Sequence, residues 1–117
     1  METSGTDHST VADTLGFLGN QRRMLLIGYL SLLDRESAIE VRHLARVIRA
    51  IELGTSPRFI DTDDYESAYN ALIQTHLPRL ESKGLIEYNE NRKTVVVRAK
   101  LDQYALLVEL SRYLLTQ

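Results

Sequence analysis

Residues 63–98 read DDYESAYNALIQTHLPRLESKGLIEYNENRKTVVVR, and this stretch decides the fold. Asp63 and Asp64 at its head, with Asp61 just before it, suit the positive end of a helix dipole. Tyr65, Ala68 or Tyr69, Leu72, Ile73, His76 or Leu77, and Leu80 then hold a helical period, which predicts a helix from about Asp63 to Ser82. Pro78 lies inside that helix; it has no amide hydrogen to donate and predicts a kink or a division. Gly84 ends the helix. Leu85 to Tyr88 alternates as a strand, Asn89 to Lys93 is a turn, and Thr94 to Arg98 is a β-branched strand. The three together make a hairpin.

Upstream, Val41 to Leu53 reads as a helix with Val41, Leu44, Ala45, Ile48 and Ile51 on one side and Arg42, Arg46 and Arg49 on another. Gly54 stops it, and Thr55 to Ile60 is a loop marked by Ser56-Pro57. Asp34 to Ser37 is a polar turn before Ala38-Ile39, enough for a very short strand. Before that turn, Gln21 to Leu33 forms a helix with Leu26, Leu30 and Leu33 in one stripe and Ile27 beside it. Met24, Leu25, Tyr29 and Leu32 lie off the stripe, so this helix is expected to bury several sides, one of them against a second subunit. Thr10 would cap a short leading helix carrying Val11, Leu15 and Leu18, broken by Gly19-Asn20, and residues 1–9 have the composition of a disordered tail. At the other end, Leu101 to Leu115 is amphipathic, with Leu101, Tyr104, Val108, Ser111 and Leu115 in near-heptad spacing. Leu106, Leu107, Leu110, Tyr113 and Leu114 add apolar surface beyond that stripe. The order predicts a mainly α fold with a small β hairpin. That is the winged helix-turn-helix arrangement, expected over 10–100 with flanking N- and C-terminal helices, and 101–117 is expected to serve as a dimerisation helix, the alternative being a helix folded back on its own domain.

The 117 residues fit one domain, and the absence of cysteine excludes disulfides and thiolate metal sites. No apolar run reaches the roughly 18 residues of a membrane span, and Met1 to His8 lacks a charged-then-apolar leader, so the expected compartment is the cytoplasm. The net charge of −2 is unevenly spread. Residues 1–19 carry Glu2, Asp7 and Asp13, whereas positive charge gathers over 79–100 and at Arg22 and Arg23. His43 and His76 are too few for a zinc site. The acidic cluster at 61–66 lacks the glycine and closing glutamate of a calcium loop, and it serves helix capping more simply. No constellation suggests an enzyme, a metal or a cofactor.

Three stretches resemble ArsR-like winged-helix regulators. Gln21-Arg22-Arg23-Met24-Leu25-Leu26 is similar to their first-helix opening, and Val41-Arg42-His43-Leu44-Ala45 to their second helix. Gln74-Thr75-His76-Leu77-Pro78-Arg79-Leu80-Glu81-Ser82-Lys83-Gly84-Leu85-Ile86 resembles their recognition-helix end running into the wing. The nearest resemblance is to the uncharacterised haloarchaeal group, over roughly residues 18–98. The sequence departs from the general pattern in its lack of cysteine, its longer loop from Gly54 to Thr62, its Pro78 and its acidic third-helix start.

The resemblance implies a homodimeric transcriptional regulator that binds double-stranded DNA, with helix 63–82 in the major groove and the wing at 89–94 on phosphates. Asn70, Gln74 and Thr75 are the expected base readers, since asparagine and glutamine bond adenine through two atoms at once. Arg92 and Lys93 at the hairpin tip, Arg79 and Lys83 at the helix end, and Arg22 and Arg23 at the first helix are the expected backbone contacts; salt bridges within the chain are the competing use for the last four. Leu101, Tyr104, Val108, Ser111 and Leu115 are the expected dimer interface. The rival expectation is a winged helix used for protein contact without DNA, favoured by the acidic turn and the apolar ends.

Overall fold

A computed structural model describes residues 16–115 of the chain. The expected tail at 1–9, the Thr10 cap, Val11 and Leu15 lie outside the described residues, as do the side chains of Leu114 and Leu115.

Asn20 opens the first helix, α1 (Gln21–Leu30), by accepting the Arg23 amide on its side chain at 3.0 Å. The helix stops three residues short of the expected Leu33. Leu32 and Leu33 donate to Tyr29 and Leu30, a tighter i→i−3 pattern that closes the last turn, and Leu32 is left outside the core at 80 % exposure. The polar turn follows, with Glu36 at a φ of 71°, and leads into β1 (Ala38–Glu40). The second helix, α2 (Val41–Leu53), has the expected bounds and ends on Gly54 at a φ of 68°, a left-handed conformation that suits a residue without Cβ. Val41, Leu44, Ala45 and Ile48 are buried as expected, but Ile51 lies outside the core, where it lines a groove between the first and last helices.

After a short 3₁₀ turn (Pro57–Phe59), α3 (Thr62–Ala71) starts on Asp61, whose carboxylate accepts the Asp64 amide at 2.8 Å. The chain continues through a π-helical turn (Leu72–His76) into α4 (Leu77–Ser82), so 62–82 is one rod with a local change of winding. In that turn the Leu77 amide donates five residues back, to the Leu72 carbonyl. Pro78 explains the change: it has no hydrogen for Gln74, and its ring would crowd that carbonyl in ordinary α register. The wide turn brings Leu77 and Leu80 into line with Ala68 and Leu72, and all four are fully buried.

Gly84, at a φ of 76°, turns the chain into β2 (Ile86–Asn89) and β3 (Thr94–Val97). The strands pair antiparallel in the order β1-β3-β2, with Ile86 opposite Val97 and Tyr88 opposite Val95. The sheet therefore has a third strand beyond the hairpin, made by the expected short segment at Ala38. At the hairpin tip the Asn89 side chain accepts the Arg92 amide at 2.9 Å. The last helix, α5 (Leu101–Leu115), packs on α1 and is tied to the turn after α1 by Arg35 and Asp102. Helices on one side of a small antiparallel sheet, with a hairpin after the third helical rod, make a winged helix. Among the described residues no helix is long and apolar enough to cross a membrane.

Candidate nucleic-acid interface

The helical rod 62–82 buries Ala68, Leu72, His76, Leu77 and Leu80, with Tyr69 and Ile73 half-buried against the core, so it is the polar residues between them that face outward. Asn70, Gln74 and Thr75 are all exposed, as the sequence predicts for base readers. Asp63 and Glu66 are exposed on the same side, one or two turns earlier. The acidic turn is thus only partly absorbed. Asp61 is used as a cap, and Asp64 accepts two bonds from Arg49 of α2, at 3.0 and 2.8 Å.

The expected basic contacts divide into two kinds. Arg79 and Arg92 are exposed, and Lys93 is half-buried; none of the three makes an ion pair among the described residues. Lys93 reaches the wing tip in a left-handed conformation with a φ of 55°, and its carbonyl accepts the Val41 amide at 2.9 Å. That bond roots the wing at the start of α2. Lys83 is half-buried, with Nζ 5.3 Å from the centre of the Phe17 ring.

Arg22 and Arg23 leave the candidate set. Arg22 grips Glu52 with Nε and Nη2, both at 2.7 Å, a bidentate pair that closes α1 onto α2. Arg23 is 5 % exposed; its Nη1 donates to the Phe17 carbonyl at 2.8 Å and its guanidinium lies 4.9 Å over the Phe17 ring. Burial, and then the nearby Arg79 charge, lower its pKa. Glu52, which also bonds Arg49 at 3.1 Å, is held below the usual carboxylate range, chiefly by the Arg22 hydrogen bonds and against the effect of its burial.

His76 sits inside the π turn, buried, with Nδ1 lacking a partner among the described residues. Burial first, then the charges of Arg23, Arg22 and Arg79, push its pKa down to about 4, with Glu52 acting the other way. It is a neutral core group in the folded protein. Nowhere among the described residues do three or more histidines and carboxylates gather as they would around a metal ion.

Two arginines outside the expected set join this surface. Arg42 and Arg46 are exposed on α2, and the Arg46 guanidinium lies 4.7 Å over the ring of Tyr65, which leans on Tyr69 at 5.6 Å. Their recurrence along α2 was visible in the sequence, but nothing there connected α2 to the wing.

The expected dimer stripe is corrected. Leu101 and Val108 are buried within their own chain, Tyr104 meets the Phe17 ring edge-on at 5.7 Å, and Ser111 is half-buried. The heptad spacing therefore marks the face of α5 that packs inward. Leu106, Leu107, Leu110 and Tyr113 form the exposed apolar surface instead. Beside them runs a groove of ≈ 630 Å³, walled by Met24, Leu25, Tyr29, Leu32, Ile51 and Val108.

A family model described as a domain of unknown function, DUF7344, matches residues 15–96. The chain belongs to that family. No curated protein and no solved structure gives a match. The match takes in all of the surfaces just described except α5, so the amide row, the wing and the α2 arginines are parts of the DUF7344 domain.

Proposed function

We propose that this DUF7344 chain is a winged-helix DNA-binding protein that regulates transcription in the cytoplasm as a homodimer, of the ArsR-like kind that its sequence resembles. The observation that carries the reading is the pairing of two surfaces in one fold. An exposed row of Asn70, Gln74 and Thr75 lies on the third helical rod, and a basic tip of Arg92 and Lys93, without an ion pair among the described residues, lies on the wing. Amide side chains on an exposed helix suit base edges in a major groove, and free cations on a hairpin suit phosphates.

The test is a duplex titration across salt concentrations. The reading requires affinity that falls steeply with salt. Arg92→Ala with Lys93→Ala should weaken binding to every sequence alike, while Gln74→Ala should change the order of preference among sequences. A second reading, protein contact without DNA, is favoured by the exposed carboxylates of Asp63 and Glu66 beside the amide row. It requires no duplex affinity even at low salt.

A further inference from the structure

The reading helix has an electrostatic problem. Asp63 and Glu66 face out with Asn70 and Gln74, and exposed carboxylates repel a phosphate backbone laid along the rod. A duplex there needs attraction from a neighbouring element, and α2 has it.

Of the three arginines spaced along α2, Arg49 is spent on Asp64 and Glu52. Arg42 and Arg46 are not spent. They stand one helical turn apart and are both exposed. Among the described residues the carboxylate that Arg42 pairs with is Glu40, at 3.6 Å with both side chains more than 60 % exposed, a loose pair that contributes little. Arg46 has no carboxylate partner among the described residues, and its stacking on Tyr65 leaves the in-plane N–H donors of a guanidinium available. The bond from the Val41 amide to the Lys93 carbonyl fixes the wing tip one residue from Arg42. Four cations therefore follow one another across a single junction, from Arg92 and Lys93 on the wing to Arg42 and Arg46 on the helix.

We infer that Arg42 and Arg46 extend the wing into one phosphate track, along which a DNA strand passes from the wing over α2 toward the Tyr65–Tyr69 pair. The inference rests on the DNA-binding reading and deepens it. The wing and α2 hold the backbone, and the rod 62–82 is left to read bases with its later turns, beyond Glu66.

Salt dependence tests it on the full chain with a short mixed-sequence duplex. Each lost phosphate contact lowers the slope of log K against log salt by about 0.9, so Arg42→Gln with Arg46→Gln should reduce the slope by roughly 2. Near 0.1 M salt the affinity should fall more than about tenfold, alike on all sequences. Arg42→Gln alone, which removes only the loose contact with Glu40, should take away about half of that slope change. Arg42→Lys with Arg46→Lys keeps both charges and should keep the slope. Wild-type binding with an unchanged slope in the glutamine variants overturns the track and leaves the DNA reading standing, as does a slope that the lysine variants fail to restore. A wild-type chain with no salt-dependent affinity overturns both.

Discussion

Arg49 donates to a single oxygen of Asp64 through both Nε and Nη2, at 3.0 and 2.8 Å, and so fastens α2 to the first turn of α3. Its Nη1 reaches Glu52 at 3.1 Å, and Glu52 in turn takes both donors of Arg22. Four charges thus link three helices in one chain. The Asp64 hydrogen bond is the first cause of the raised Arg49 pKa, followed by that of Glu52. The linkage also alters the electrostatics of the candidate interface, since it removes Asp64 from the acidic turn that would face a duplex.

Glu52 is the member with two cationic partners, so its loss exposes the network most. Glu52→Gln keeps the shape and removes the charge, leaving Arg22 and Arg49 without their shared counter-ion. The side chains are between 18 and 25 % exposed, so screening trims the effect. The expected loss is about 1–2 kcal/mol at pH 7, or several degrees in Tm. Because the folded Glu52 carboxyl lies below its ordinary value of 4.5, its contribution is present above that pH and disappears as the pH falls through the folded value. Thermal melts of the two proteins should therefore differ at pH 7 and converge in acid. Equal midpoints at pH 7 would show that the network adds nothing.

His76 governs a different pH window. Its folded pKa is about 4 against an ordinary 6.5, so the unfolded chain takes up a proton that the native one refuses. Stability is whole above pH 6.5 and declines as the pH falls toward 4, by at most about 3 kcal/mol. The groups around the ring are the guanidinium groups of Arg23, Arg22 and Arg79 and the carboxyl of Glu52, which is held below its usual value. The slope between pH 6.5 and 5 therefore belongs to the histidine. Urea unfolding at stepped pH should show it in the wild type, and His76→Leu should flatten it. A slope that survives the substitution would assign it elsewhere.

Much of the fold was legible because a few residues admit one local solution. Gly54 and Gly84 both adopt positive φ, so the helix ends that they mark in the sequence are the ones observed. The wing was legible from β-branched alternation around a polar turn. The π turn was half-visible, in that the apolar period slips by one residue at His76 and Leu77, but the slip resolves only when Leu72 and Leu77 are known to be buried together. Arg23 was misread for a physical reason: a basic residue at a helix start looks solvated until Phe17 is seen covering it. The dimer stripe failed similarly. A heptad period identifies a buried face but does not say whose surface buries it, and for Leu101 and Val108 the surface is the chain's own.

Pro78 sets the winding of the rod 62–82. Pro78→Ala supplies a hydrogen for the Gln74 carbonyl and removes the ring that crowds it. The recovered bond should stabilise the domain by about 0.5–1 kcal/mol, and amide exchange over residues 74–79 should slow. If Gln74 and Thr75 read bases, the same change should alter sequence preference by turning them on the rod. Unchanged exchange protection would mean that tertiary packing of Leu77 and Leu80, not the proline, holds the π turn.

The exposed face of α5 completes the homodimer reading. Leu106 and Leu110 lie one turn apart, 63 and 49 % exposed, beside the groove walled by Met24, Leu25, Leu32 and Ile51. Ridge and groove on the same surface are what a two-fold axis requires, since each copy's ridge can enter the other's groove. The charges lining the groove, Glu109 and Arg112, pair with each other at 3.3 Å, so two copies meet without net repulsion there. Sedimentation should therefore find the wild type dimeric and Leu110→Glu monomeric. At concentrations too low for dimers to form, the urea midpoints of the two proteins should nearly coincide, because Leu110 is outside the core. Val108→Glu should instead destabilise the fold, because that residue is buried against its own chain. A monomeric wild type, or a dimer that tolerates the Leu110 charge, would rule this face out.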